Sequence, residues 1–202
     1  MINKYLLLSV LLSATLLLVP TRAHAQFALN AEGNGFLESR VKGGNKVLNK
    51  VIGVSIGATY YKNIGTSFAV GSGLNYHFFL DPAPNGYEHG FNIPLTVNWF
   101  FRKSEDFVPL VKAGPSDNWV PFVYAGPTFE MGVGGRIVHD RRFSEGMQNR
   151  INVLAGGGVG IYLIDAALLF RLGYDYGMLD YSDNPDKVYH RHYIRLGVSV
   201  LL

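Results

Sequence analysis

The sequence predicts an all-β protein: a closed, eight-stranded, antiparallel up-and-down transmembrane β-barrel behind a cleaved export signal. Three observations carry this reading. Most of the chain alternates apolar and polar residues with a period of two, the signature of strands with two unlike faces. The polar faces are rich in glycine and serine and nearly free of Lys and Glu, which suits a crowded barrel interior and not a wet surface. The apolar faces are aliphatic in their middles and aromatic at their ends, the pattern of the two girdles that flank a bilayer.

The first segment stands apart from this pattern. Lys4 precedes an apolar run over residues 5–19, Pro20 ends it, and Ala23-His24-Ala25 supplies the small-bulky-small pattern of a signal-peptidase site. The domain division is therefore a leader over residues 1–25 and a barrel over residues 26–202. Lys4 and Arg22 leave with the leader, so 16 of the 18 Lys plus Arg remain against 15 Asp plus Glu. A nearly neutral mature chain implies no nucleic-acid partner. There is no cysteine, which removes disulfides, thiolate metal sites and lipid attachment through cysteine.

Taken in order, residues 26–32 form a short alternating piece and residues 33–49 read as a loop because of Gly33, Gly35, Gly43 and Gly44. The clearest hairpin follows, with strands over residues 50–61 and 66–79 joined by a tight turn at Lys62-Asn63-Ile64-Gly65. Residues 80–90, LDPAPNGYEHG, read as a loop. Residues 91–101, FNIPLTVNWFF, are the most informative strand: Phe91, Ile93, Leu95, Val97, Trp99 and Phe101 oppose Asn92, Pro94, Thr96 and Asn98. Pro94 and Pro127 lack a backbone donor in mid-strand and predict a bulge or irregular pairing.

Residues 102–118 form a long polar connector, and residues 119–133 a fifth strand with Tyr124, Gly126, Thr128 and Glu130 on its polar side. A basic loop over residues 134–149 leads to a glycine-rich strand over residues 150–163. A short turn at residues 164–166 precedes a strand over residues 167–177, where Arg171, Gly173 and Asp175 oppose Leu168, Phe170, Leu172, Tyr174 and Tyr176. After a loop over residues 178–190, the last strand spans residues 191–202. The connections then run long, short, long, long, long, short, long. Only the 102–118 connector breaks the alternation of short and long connections that outer-membrane barrels show.

FNIPLTVNWFF is similar to the aromatic-x-I-P-L-x-x-x-aromatic strand of the PorT-like small outer-membrane β-barrel family. PFVYAGPTF resembles that family's "AGP" strand, INVLAGGGVGIYL its glycine-rich strand, and LLFRLGYDYGM its arginine-and-tyrosine strand. Such barrels commonly end in Phe, whereas this chain ends in Leu202. The resemblance implies an outer-membrane barrel and no particular activity.

The candidate sites follow from the faces. Arg171, Arg195, Asp175, Glu130, Asn98 and Asn152 point inward as a structural polar network of the lumen, with Tyr193 as a further partner. Arg136, Arg141, Arg142 and Arg150 form a basic patch suited to lipopolysaccharide phosphates. His190 and His192 share a strand face and could meet His77 or His89 over a metal, but without a spaced third ligand they read as solvated residues. Ser144, Glu145 and His139 form a loop trio of the kind found by chance, and Asp180, Asp183 and Asp186 lack the Gly and Glu of a calcium loop. No catalytic residue, metal or cofactor is assigned. The expected partners are outer-membrane lipids, including lipopolysaccharide, and the barrel-assembly machinery. The expected role is structural or surface-interacting in the bacterial outer membrane. The alternatives are a lipid-modifying membrane enzyme and a soluble periplasmic ligand carrier.

Overall fold

The computed structural model describes residues 25–42, 45–81, 86–101, 110, 119–136, 150–179 and 189–202. The proposed leader therefore lies almost wholly outside the described residues, as do Arg141, Arg142, the loop trio and the 180–186 aspartates.

Eight strands run in chain order: β1 (Ala25–Lys42), β2 (Asn45–Ile64), β3 (Phe68–Asp81), β4 (Gly86–Phe100), β5 (Trp119–Arg136), β6 (Arg150–Leu163), β7 (Leu168–Gly177) and β8 (Tyr189–Leu201). Each pairs antiparallel with its neighbours, and β1 pairs with β8 from Ala28↔Leu201 to Arg40↔Tyr189, closing the sheet. Closure leaves no open edge, so the backbone donors and acceptors of the wall find partners without water.

Two expected loops are strand instead. Residues 33–49 belong largely to β1 and β2, which stay paired to Lys42↔Asn45, so the first connection is two residues long. Residues 80–90 shrink to a four-residue connection, because β3 reaches Asp81 and β4 starts at Gly86. The reason is common to both. The apolar-polar alternation fades where the outer wall no longer needs to be apolar, while the hydrogen-bond ladder continues.

The faces fall as the alternation predicts. Ile56, Leu172, Ile194 and Leu196 look outward, Leu196 with 67% of its surface exposed, whereas Arg191, Asn152 and Ser199 are wholly buried inside. A soluble ligand carrier requires the reverse. Around one end of the outer wall, Phe27 packs on Tyr60 at 5.1 Å, Phe68 on Trp99 at 5.9 Å and Trp99 on Phe101 at 4.8 Å. Around the other, Tyr76 meets Phe91 at 5.4 Å, Phe78 meets Tyr87 at 6.2 Å and Tyr176 meets His192 at 5.1 Å. Phe91 and Trp99 lie roughly 26 Å apart along β4 at ~3.3 Å per residue, or about 20 Å along the axis of a barrel tilted by about 40°. That separation suits the apolar band of a membrane barrel.

Pro94 interrupts pairing without shifting register. The β3–β4 ladder skips from Ser72↔Leu95 to Asn75↔Asn92, and the β4–β5 ladder skips from Pro94↔Thr128 to Val97↔Ala125. The register shift itself falls between His89 and Gly90. At the gap β4 and β5 come so close that a Cβ on Gly126 would overlap the Leu95 carbonyl.

The glycine-rich inner face also has a packing cause. Glycines stand directly across the ladder from large inward side chains: Gly53 from Phe79, Gly71 from Tyr61, Gly156 from Asp175 and Gly160 from Phe122. A Cβ on any of them would collide with that partner. Each missing side chain lets its neighbour lie flat against the wall, which is how an eight-stranded barrel holds bulky groups.

Candidate functional site

The site offered by this fold is its lumen, which side chains fill at three levels. At the end bearing the 65–67 and 164–167 turns lies an apolar cluster that includes Tyr61, Phe100, Phe122, Tyr162, Ile164 and Leu169. Leu110 completes it. This residue of the long 102–118 connector is 1% exposed and holds a left-handed backbone with φ 61°. The long connector between β4 and β5 therefore delivers a side chain to the apolar seal of this mouth.

The middle level is polar. Asn30 Nδ2 donates to Thr59 Oγ1 at 2.6 Å and to Asn75 Oδ1 at 3.2 Å, and Asn75 Nδ2 donates to Asn92 Oδ1 at 3.0 Å, a ladder across β1 to β4. Arg195 Nε lies 2.6 Å from Asp175 Oδ2, and its NH1 lies 3.8 Å from Glu32 Oε2. Arg171 donates to Ser199 Oγ at 2.8 Å and lies 3.5 Å from Glu32 Oε1. Two guanidiniums thus face two carboxylates, the balance that buried ions require. A cavity of about 30 Å³ lined by Asn75, Thr96, Tyr124, Arg171, Asp175 and Arg195 has space for about one water molecule.

The third level lies toward the loop end. Arg191 makes two 2.8 Å bonds to the carboxylate oxygens of Glu88 and approaches Glu130 at 3.6 Å, while Tyr193 Oη donates to Glu130 Oε1 at 2.9 Å. His77 is buried beside them. Val51, Phe79, Leu154 and Tyr193 form a small apolar cluster here.

The inward residues expected from sequence are thus spread over the barrel. Arg171, Arg195 and Asp175 meet in the middle level. Glu130 belongs to the loop-end level with Tyr193. Asn98 bonds the Ala69 carbonyl and Thr96 Oγ1, both at 3.2 Å, and Asn152 accepts from the Leu179 N–H at 3.4 Å. Glu32, Glu88 and Arg191 escaped the sequence reading. The first lies on a piece judged only as a short strand, the second in an assumed loop, and the third at a strand start with no visible partner. The histidine metal grouping set aside on sequence grounds is not available to His192, which sits on the outer wall against Tyr174 and Tyr176 and away from the buried His77. Arg136 and Arg150 end β5 and start β6 at the loop end, opposite Tyr87 and Gly132 respectively.

A closed sheet, an apolar wall between two aromatic girdles and a lumen packed with paired polar groups define a transmembrane β-barrel. No protein-family model matches the sequence, and no curated protein does. Among solved structures the chain is similar to Ail, the attachment invasion locus protein of Yersinia pestis, in complex with the heparin analogue sucrose octasulfate (12% identity, TM-score 0.41, 88% of this chain and 99% of that one). It is also similar to Neisserial surface protein A (12%, TM-score 0.47, 88% and 98%) and to the N-terminal β-barrel domain of Pseudomonas aeruginosa OprF (17%, TM-score 0.43, 89% and 100%). At such identities and scores these likenesses add nothing to the architecture, which rests on the chain's own strand pairing.

Proposed function

We propose that this chain is an exported, PorT-like barrel of the bacterial outer membrane whose role is structural or surface-interacting, not catalytic. The observation that carries this reading is the filled lumen inside an apolar wall. The wall suits hydrocarbon, the leader sequence and closed barrel suit the outer membrane, and the IPL and AGP segments support the PorT-like kinship. The packed interior leaves interaction to the loop end. In this reading the 65–67 and 164–167 turns face the periplasm and the barrel-assembly machinery recognises the terminal strand.

Fractionation with heat-modifiable gel migration tests the location. Single-channel recording tests the role: the expected result is no steady porin-sized current, because Leu110 and its neighbours close one mouth and the Arg195–Asp175 level fills the middle. Sustained porin-sized steps would overturn the structural reading.

The basic residues Arg136, Arg141, Arg142 and Arg150 supply the surface contact. In this proposal they hold lipopolysaccharide phosphates, since planar guanidiniums match phosphate oxygens in pairs. Replacing Arg141 and Arg142 together with Gln is expected to reduce the lipopolysaccharide retained on purification. Unchanged retention would remove this contact from the proposal.

A further inference from the structure

The two ionic levels of the lumen differ in one respect. In the middle, Arg171 and Arg195 face Glu32 and Asp175, whereas toward the loop end Arg191 reaches both Glu88 and Glu130 among the described residues. Against these carboxylates stands His77, only 1% exposed, with no hydrogen-bond partner for either ring nitrogen among the described residues. A histidine nitrogen and one oxygen from each of Glu88 and Glu130 lie within 4.8 Å of one another. An unpartnered buried polar group destabilises the fold, so an imidazole idle at both nitrogens beside two acids is an arrangement that a ligand would relieve.

We propose that His77, Glu88 and Glu130 bind a divalent first-row transition ion, Zn²⁺ or Mn²⁺, inside the barrel near its loop end. The ligands come from three consecutive strands, β3, β4 and β5, so the hydrogen-bond ladder fixes their relative positions. Glycine lets the imidazole lie close over the β4 backbone. Gly90 lies across from His77, Gly132 across from Gly90, and a Cβ on Gly90 would come 2.9 Å from His77 Nε2. The β4–β5 register shift falls beside this point, between His89 and Gly90, and such irregularities re-aim neighbouring side chains.

The donor set selects the ion class. An imidazole nitrogen with two carboxylates suits Zn²⁺ and Mn²⁺ better than Mg²⁺ or Ca²⁺, which favour oxygen alone. Glu88 and Glu130 supply the negative charge that draws a dication, Arg191 offsets part of it, and water completes the coordination. Arg191 remains on Glu88 and Tyr193 on Glu130 as the outer partners that orient metal-bound carboxylates. Bonds of about 2.0–2.2 Å hold tetrahedral ligand atoms about 3.3 Å apart, so binding draws the three groups together by up to about 1.5 Å. Small torsional adjustments of the three side chains within their rotamer wells supply that movement, so the bonds from Arg191 and Tyr193 persist.

The untagged barrel, folded in detergent and stripped with a chelator, is dialysed against Zn²⁺ and Mn²⁺ in separate arms, and bound metal is counted by elemental mass spectrometry. One ion per chain, saturable, is the expected result in at least one arm. His77→Gln should weaken it at least about 100-fold, the upper end of what losing a mere outer partner costs. His192→Gln, on the outer wall, should leave it unchanged. X-ray absorption of the loaded wild type should show one imidazole nitrogen among oxygen ligands. Wild-type barrel that takes up neither ion stoichiometrically overturns the proposal, and so does binding that survives His77→Gln. If His77→Gln does not fold, the absorption spectrum decides, since a coordination shell with no imidazole, or with more than one, overturns it equally.

Discussion

Asp175→Asn is expected to lower the unfolding free energy of the barrel by about 3–5 kcal/mol, the usual cost of stripping one partner from a buried ion pair. The shape is conserved, which matters because Asp175 lies flat against Gly156 with no space to spare. What changes is charge. Arg195 loses its 2.6 Å partner, and two guanidiniums are left sharing Glu32 at 3.5 and 3.8 Å. Because the loss comes from an uncompensated cation and not from a lost attraction, Asp175→Asn combined with Arg195→Met should recover more than half of it. Urea titration of the barrel in lipid vesicles measures both, with the fluorescence of Trp99 and Trp119, exposed on the outer wall, as the signal. A loss below about 1 kcal/mol, the surface-pair range, would mean that water screens the lumen.

Leu196→Arg is expected to cost about 2–4 kcal/mol in the same titration, the penalty for a cation near the midplane on the lipid face of a barrel. Leu196 sits between Gly33 of β1 and Leu172 of β7, in the aliphatic stretch between the girdles. Its wide exposure would make the change nearly neutral in water, where an arginine on a sheet surface is ordinary. The control is Ile64→Arg, at the turn end of β2, for which a cost of about 0–1 kcal/mol is expected because the side chain reaches the interface. Equal costs at the two positions would refute the assignment of the wall to hydrocarbon. The pair thus tests the membrane reading independently of any gel assay.

Legibility in the sequence followed the bilayer. Within the membrane band the wall must alternate, and there the residues that the alternation assigns in β7 and β8 lie on their observed faces, from Arg171, Gly173 and Asp175 inward to Leu196 and Val200 outward. Outside the band the outer face is released from that requirement. Residues 33–42 and 86–90 then look like loops although they are strands, and Glu88 disappeared into one of them.

Partners across the lumen were less legible. The alternation shows that Glu130 and His77 point inward, but not that both come within reach of Glu88, because reach across a barrel depends on register and on the shift between His89 and Gly90. Leu110 left no signal, because it is one of several apolar residues in the connector, with Phe107, Val108 and Val111 beside it, and no period singles it out.

The sequence by itself therefore determined the local and one-dimensional features: strand identity, the inward and outward faces and the girdles, because each follows from a period of two set against a layered solvent. The tertiary structure decided which inward groups meet. Closure into eight strands set the stagger that stacks Tyr61 on Gly71, joins Arg195 to Asp175 and brings His77 between two glutamates. Those pairings depend on contacts between residues far apart in the chain, which no local pattern encodes.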